Sequence, residues 1–93
     1  MKKSIEQILN TIPKGMIFDS HYIVSQLMKH HSDNYLSFAS KFNSGNKITN
    51  TTHMQIGKEV AKFEDDVITR KENMSWSENI HGNSSECTAW RKL

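Results

Sequence analysis

TTHMQIGKEVAKF, Thr51–Phe63, is the stretch on which the fold turns. Wound as a helix at about 100° per residue, it puts Ile56, Val60 and Phe63 on one stripe, and Val67 would join them if the helix ran on. Thr51, Gln55, Lys58 and Lys62 fall on the opposite side, with Glu59 at the margin. One face is apolar; the other carries two amines, an amide and a hydroxyl. Thr52 followed by Gln55 has the form of a capping box, which would satisfy N–H groups left open at a helix start. A helix over about 52–64 is expected. Gly57 either lets another backbone approach closely or weakens the helix by about 1 kcal/mol relative to alanine. Glu64-Asp65-Asp66 sits where the helix dipole disfavours negative charge, so the helix should end promptly.

Downstream, Val67-Ile68-Thr69 is β-branched throughout and predicts a strand. Arg70-Lys71-Glu72-Asn73 reads as a bulge or bend. Met74–Ile80 resumes, His81-Gly82-Asn83-Ser84 supplies turn residues, and Ser85–Leu93 returns. The whole reads as a hairpin over about 67–93. With Gly82-Asn83 at the centre of a type II′ turn, Trp76 pairs with Ala89 and Ser75 with Trp90. One more loop residue pairs Trp76 with Trp90 instead, and the register stays open. In the second case the two indoles share a face; either way they are packing residues before they are platforms for stacked bases.

Upstream, Ile5, Ile8, Leu9 and Ile12 are spaced for one face of a helix over about 4–12. Ser4 and Gln7 have the capping-box form there, and Pro13 with Gly15 stops it. Met16-Ile17-Phe18 is either a brief strand or the entry to the next helix. Asp19 is an N-cap for a helix over 20–30, with Tyr22, Ile23, Val24, Leu27 and Met28 forming a broad apolar face. Ser32 or Asp33 caps a third segment over about 33–42, whose apolar residues are Tyr35, Leu36, Phe38, Ala39 and Phe42. Asn43–Asn50 is a loop by composition, with Ile48-Thr49 a possible short edge of pairing.

The 93 residues suffice for one small domain, 1–93, and 35% hydrophobic content makes its core thin. A chain this small is marginal alone, so a homodimer is a natural expectation. Net charge is +2, compatible with nucleic acid but far below that of a charge-dominated binder. Cys87 is the single cysteine, so no intrachain disulfide forms. No CxxC or HExxH pairing suggests a metal, and the neighbours His30 and His31 point apart on a helix. No cofactor is expected, since neither a P-loop nor GxGxxG is present. Cys87, His81 and Glu86 could be arranged as nucleophile, base and orienting acid, but a lone thiol beside a hairpin is usually inert and no oxyanion loop accompanies it. A non-enzyme is expected. With no apolar run of signal or membrane length, a cytoplasmic protein is the default. The Asn-x-Ser/Thr matches at Asn50, Asn73 and Asn83 are then fortuitous.

The order is helix, short strand, helix, helix, helix, strand, turn, strand: an α+β chain of three to four short helices before a C-terminal β-hairpin. This layout resembles the winged helix-turn-helix superfamily, over most of the chain but without a subfamily motif. It departs from the plainest version in its extra helical segment, Ser32–Phe42, and in the long loop before the candidate recognition helix. The resemblance implies binding to double-stranded DNA, as a small transcriptional or replication regulator of bacterial, phage or plasmid origin. Lys58, Lys62, Arg70 and Lys71 would then hold phosphates. Thr51, Thr52, His53 and Gln55 would face bases or backbone, and His81 and Asn83 would stand at the tip of the wing, with Arg91 and Lys92 as weaker additions. The rival reading is a protein-binding module, such as a mobile-element-encoded inhibitor of a host defence protein. The weak net charge and the acids at 64–66 favour it.

Overall fold

Helix α1 (Lys2–Thr11) lays Ile5, Ile8 and Leu9 into the core, and the chain leaves it at Ile12 in an extended conformation. These positions come from a computed structural model that describes residues 1–42, 48–68, 75–78 and 84–93. The helix begins two residues before the capping box proposed for it. Ser4 is buried within the first turn and accepts a hydrogen bond from Asn34 Nδ2 at 2.8 Å, so it joins two helices and does not start one. Gly15 then turns the chain with φ +89°, a backbone region that only glycine enters without strain.

Of the two readings of Met16-Ile17-Phe18, the strand is the one formed. Strand β1 (Ile17–Asp19) pairs antiparallel with the C-terminal strand Ala89–Arg91, with Phe18 opposite Trp90. Backbone bonds from Gly15 N–H to Lys92 O (2.8 Å) and from Lys92 N–H to Met16 O (2.9 Å) extend the pairing. Asp19 caps helix α2 (Ser20–His30) as expected: its Oδ1 accepts from the Tyr22 N–H at 2.9 Å. The buried face of α2 is narrower than its composition suggests. Ile23, Val24 and Leu27 are buried, whereas Tyr22 and Met28 stay exposed.

Helix α3 (Ser32–Ala39) follows after the single residue His31, and neither Ser32 nor Asp33 caps it; His31 occupies the cap position without a side-chain bond. Tyr35 and Phe38 face the core. A 3-10 turn, Ser40–Phe42, completes the segment, with Phe42 edge-on to Phe38 at 5.2 Å between centroids.

Helix α4 (Ile48–Ala61) begins four residues earlier than the sequence reading placed it and ends three earlier. Ile48-Thr49 is therefore helical, not an edge of pairing. The end comes through tightening bonds, Phe63 N–H to Val60 O (3.0 Å) and Glu64 N–H to Ala61 O (3.1 Å), which bring each N–H to the third carbonyl back. Asp65, at φ +67°, then reverses the chain. Of the expected strand Val67-Ile68-Thr69, Thr69 lies outside the described residues; Val67 is in a turn, and Ile68 makes only isolated bridges to Glu64 and Lys92 while its side chain is fully buried.

Strands β2 (Ser75–Glu78) and β3 (Ser84–Cys87) form the antiparallel hairpin, with Trp76 opposite Glu86 and Ser77 opposite Ser85. Neither proposed register is realised. Trp90 lies past the hairpin, in β4 (Ala89–Arg91), which belongs to the sheet with β1. The fold is thus α+β, with α1, α2 and α4 in mutual contact, α3 bracing α2 and α4, and the C-terminal hairpin leading into the closing strand.

Gly15 and Gly57 lead to opposite predictions. A Cβ built on Gly57 meets nothing within 4 Å among the described residues, so none of them makes the close approach considered for it. Gly57→Ala should raise stability by about 0.5–1 kcal/mol, whereas Gly15→Ala, forced into a left-handed turn, should lower it by about 1 kcal/mol or more. Urea unfolding midpoints check both, and a Gly57→Ala protein less stable than wild type would contradict the open surroundings.

Candidate functional site

The rotation of α4 is set by its apolar stripe. Ile56, Val60 and Phe63 are buried as their spacing requires, and their burial turns Lys58 and Lys62 outward. Thr51 and Gln55 are half-buried at the flank, and Met54 is exposed beside them.

Thr52 leaves the set of candidate DNA contacts. It is 0% exposed, because the helix starts at Ile48 and its own phase falls within about 20° of Phe63. It cannot cap a helix in whose interior it lies, nor can its side chain reach a ligand in solvent. Its Oγ1 finds no hydrogen-bond partner among the described residues. The capping-box form of Thr52 and Gln55 is thus coincidental, and the helical phase was the better guide.

His53 is half-buried and its Nε2 lies 2.8 Å from the Tyr35 hydroxyl, with the rings 6.0 Å apart. This bond ties α4 to α3, so one ring nitrogen is engaged within the protein. Burial pushes the Tyr35 hydroxyl pKa above its ordinary value of 10.0.

The two lysines differ. Lys62 Nζ meets Glu59 Oε2 at 2.8 Å, although its side chain is 69% exposed. Lys58, one turn earlier, forms no ion pair with another described residue. Glu59 and Lys62 line one wall of a cleft whose other wall is Lys2, Glu6 and Asn10 of α1, with Asp66 at the same site. Lys2 was not singled out from the sequence; its position on α1 alone gives no hint that it lies across from α4.

The acids at 64–66 are not one patch. Glu64 Oε2 accepts the indole N–H of buried Trp90 at 2.9 Å, so this carboxylate is engaged in packing. Asp65 makes the turn and Asp66 faces the cleft. Lys92 is likewise structural: Nζ donates to Leu9 O (2.9 Å) and Ile12 O (3.2 Å), closing the C-terminal carbonyls of α1 where a cation also suits the dipole. Arg91 is exposed. Arg70, Lys71, His81 and Asn83, the proposed wing contacts, lie outside the described residues.

A second feature escaped the sequence reading. Met16 and Ile17 are more than half exposed and, with Tyr22, rim a cavity of about 260 Å³ whose floor includes Ile12, Pro13 and Phe18. The apolar run at 16–18 was visible, but which members face outward depends on the pairing with β4. Among the described residues no group of three His, Cys, Asp or Glu side chains is placed to hold a metal ion, and no helix is long and apolar enough to cross a membrane.

Two substitutions test this geometry. An unpaired buried hydroxyl costs about 1–3 kcal/mol, so Thr52→Val should be neutral or raise the urea midpoint, where an N-cap residue would lose about 1 kcal/mol. Tyr35 holds its proton more tightly folded than unfolded. Its contribution is present below the ordinary tyrosine pKa and is lost as pH rises through the higher folded value. Stability should therefore fall as pH rises past the ordinary tyrosine value of 10.0, and Tyr35→Phe should flatten that fall. Denaturation curves of both proteins across that rise measure it.

Comparison with protein-family models, with curated proteins and with solved structures gave no match.

Proposed function

We propose that the chain is a small DNA-binding protein of winged-helix type, acting as a cytoplasmic transcription or replication regulator. The single observation that carries this reading is the outward face of α4. The helix is held from behind by α1, α2 and α3, presents Lys58, and Lys62 just past its end, to solvent, and is followed in the chain by the C-terminal hairpin. A helix so braced can enter a major groove without losing its own packing, since its apolar stripe is already covered. Withdrawal of Glu64 onto Trp90 also supports it, because one of the three acids that weighed against DNA is engaged in the core. Lys58 would neutralise a phosphate, with Thr51, Gln55 and His53 toward the bases or sugar-phosphate edge. Arg70, Lys71, His81 and Asn83 would supply the wing. Two copies on a duplex would double the small contact area.

A second reading rests on the rim of Met16, Ile17 and Tyr22. Apolar side chains exposed together around a cavity suit a protein partner, such as a host protein held inactive. Binding to that partner would be lost on Ile17→Asp and kept on Lys58→Ala.

The test of the DNA reading is titration of a labelled mixed-sequence duplex at several salt concentrations. Wild type should bind at low salt and weaken steeply as salt rises. Lys58→Ala should weaken binding and reduce the slope of log affinity against log salt by about 0.9, one phosphate's worth. Thr52→Val should leave both unchanged. No binding to any duplex at low salt would end this reading.

A further inference from the structure

We propose that Glu59 is a brake on duplex affinity: it pairs with the Lys62 ammonium at the cleft shared with α1, so that a phosphate must displace a carboxylate before Lys62 can contribute. This rests on the DNA reading above and names the residue that sets its strength.

The geometry is specific to this pair. Lys58 lies on the outward side of α4 and Lys62 follows one turn later, just past the helix end, yet among the described residues only Lys62 is held by an acid, at 2.8 Å. The two partners differ in exposure. Lys62 is largely in solvent, while Glu59 is 26% exposed and turned into the cleft. The carboxylate is therefore the fixed member and the long lysine side chain the movable one. The stem of Lys62 could swing its amine away from the cleft, toward the side on which Lys58 lies. While the pair is intact, Lys62 is already neutralised and releases no counterion on meeting DNA. A free ammonium in its place would add one phosphate contact and the release that goes with it.

Glu59 is also poorly placed for another role. An i, i+3 pair whose lysine is largely in solvent adds little to the helix, and Glu59 is not part of the apolar stripe. Glu6 and Asp66 lie in the same cleft, so that side of α4 carries three acids against Lys2 and Lys62. This arrangement keeps a weakly basic protein from gripping duplex indiscriminately and leaves Lys58 as the unengaged cation of the helix among the described residues.

The test is a double-mutant cycle in the same labelled-duplex titration: wild type, Glu59→Gln, Lys62→Met and the double variant, with Asp33→Asn on α3 as a control for loss of one exposed acid. Thermal melts establish that each variant is folded. Glu59→Gln should tighten binding about three- to tenfold at low salt and steepen the salt slope by about 0.9. In the Lys62→Met background the same change should give no more than Asp33→Asn gives. An equal gain in both backgrounds would mean that Glu59 acts only through its field, and no gain would mean that it does not restrain Lys62; either overturns the proposal while Lys58→Ala still weakens binding. If wild type and all variants fail to bind duplex, the DNA reading and this proposal fall together.

Discussion

Burial of Trp90 is the contact on which the rest of the molecule depends. The side chain is 1% exposed, packs against Phe18 with centroids 5.9 Å apart, and donates its indole N–H to Glu64. Through that one residue the C-terminal strand is joined to β1, which follows the first helix, and to the turn that follows the last. Lys92, two residues on, adds the carbonyl end of α1. A three-residue strand has few ladder bonds of its own, so β4 is held by side-chain burial more than by pairing. Truncation of a buried tryptophan typically costs about 3–5 kcal/mol, a large share of what so small a domain possesses. These contacts span most of the chain in sequence. Folding must close that long loop before the contacts return any energy, and the helices are the elements able to form first.

The closing strand also settles what the charged groups can do. Without Trp90 to bind, Glu64 would stand beside Asp65 and Asp66 at the end of α4 as a repulsive acidic patch. With it, the carboxylate satisfies a buried donor and the remaining acids point to the turn and to the α1 cleft. Lys92, by contrast, gives up its availability to ligands in order to close a helix end. Sequence charge is thus partitioned between internal duties and the surface, and the net value of +2 describes neither part.

What could be read from the chain alone follows the distance over which each signal acts. The Asp19 cap and the stripe Ile56-Val60-Phe63 depend on neighbours within one or two turns, and both stand in the structure. Ser4 and Thr52 both read as caps, yet each lies buried inside its helix. A cap is worth about 1 kcal/mol, and the interior position follows from where the whole helix begins. Of the β-branched run at 67–69, Val67 lies in a turn and Ile68 makes only isolated bridges, with its side chain buried in the core. The hairpin register was judged from Gly82-Asn83, but the observed pairing leaves five residues between Glu78 and Ser84. The union of β1 with β4 was not legible, since no local periodicity encodes a partner more than 70 residues away. For the same reason the exposed side of Met16 and Ile17 could not be assigned.

The extra segment Ser32–Phe42 raises the question of which helix could face a polyanion, and its side chains bear on the answer. The inward residues of α3 are Tyr35 and Phe38; Asn34 reaches α1 through Ser4, and Tyr35 reaches α4 through His53. Its outward residues include Asp33 and Leu36, an acid and a large apolar group. Lys41, in the 3-10 turn behind it, lies over the Phe38 ring with Nζ 5.5 Å from the centroid. An aromatic face competes weakly for that cation, yet it draws the amine back over the helix. Helix α3 is thus shaped as a brace on α2 and α4, tied to α1 through Asn34, with little on its outer side to attract phosphate. On the DNA reading, α4 is the presenting helix and α3 fixes its angle, so the bond between Tyr35 and His53 matters through the position of Lys58, not through contact with the ligand.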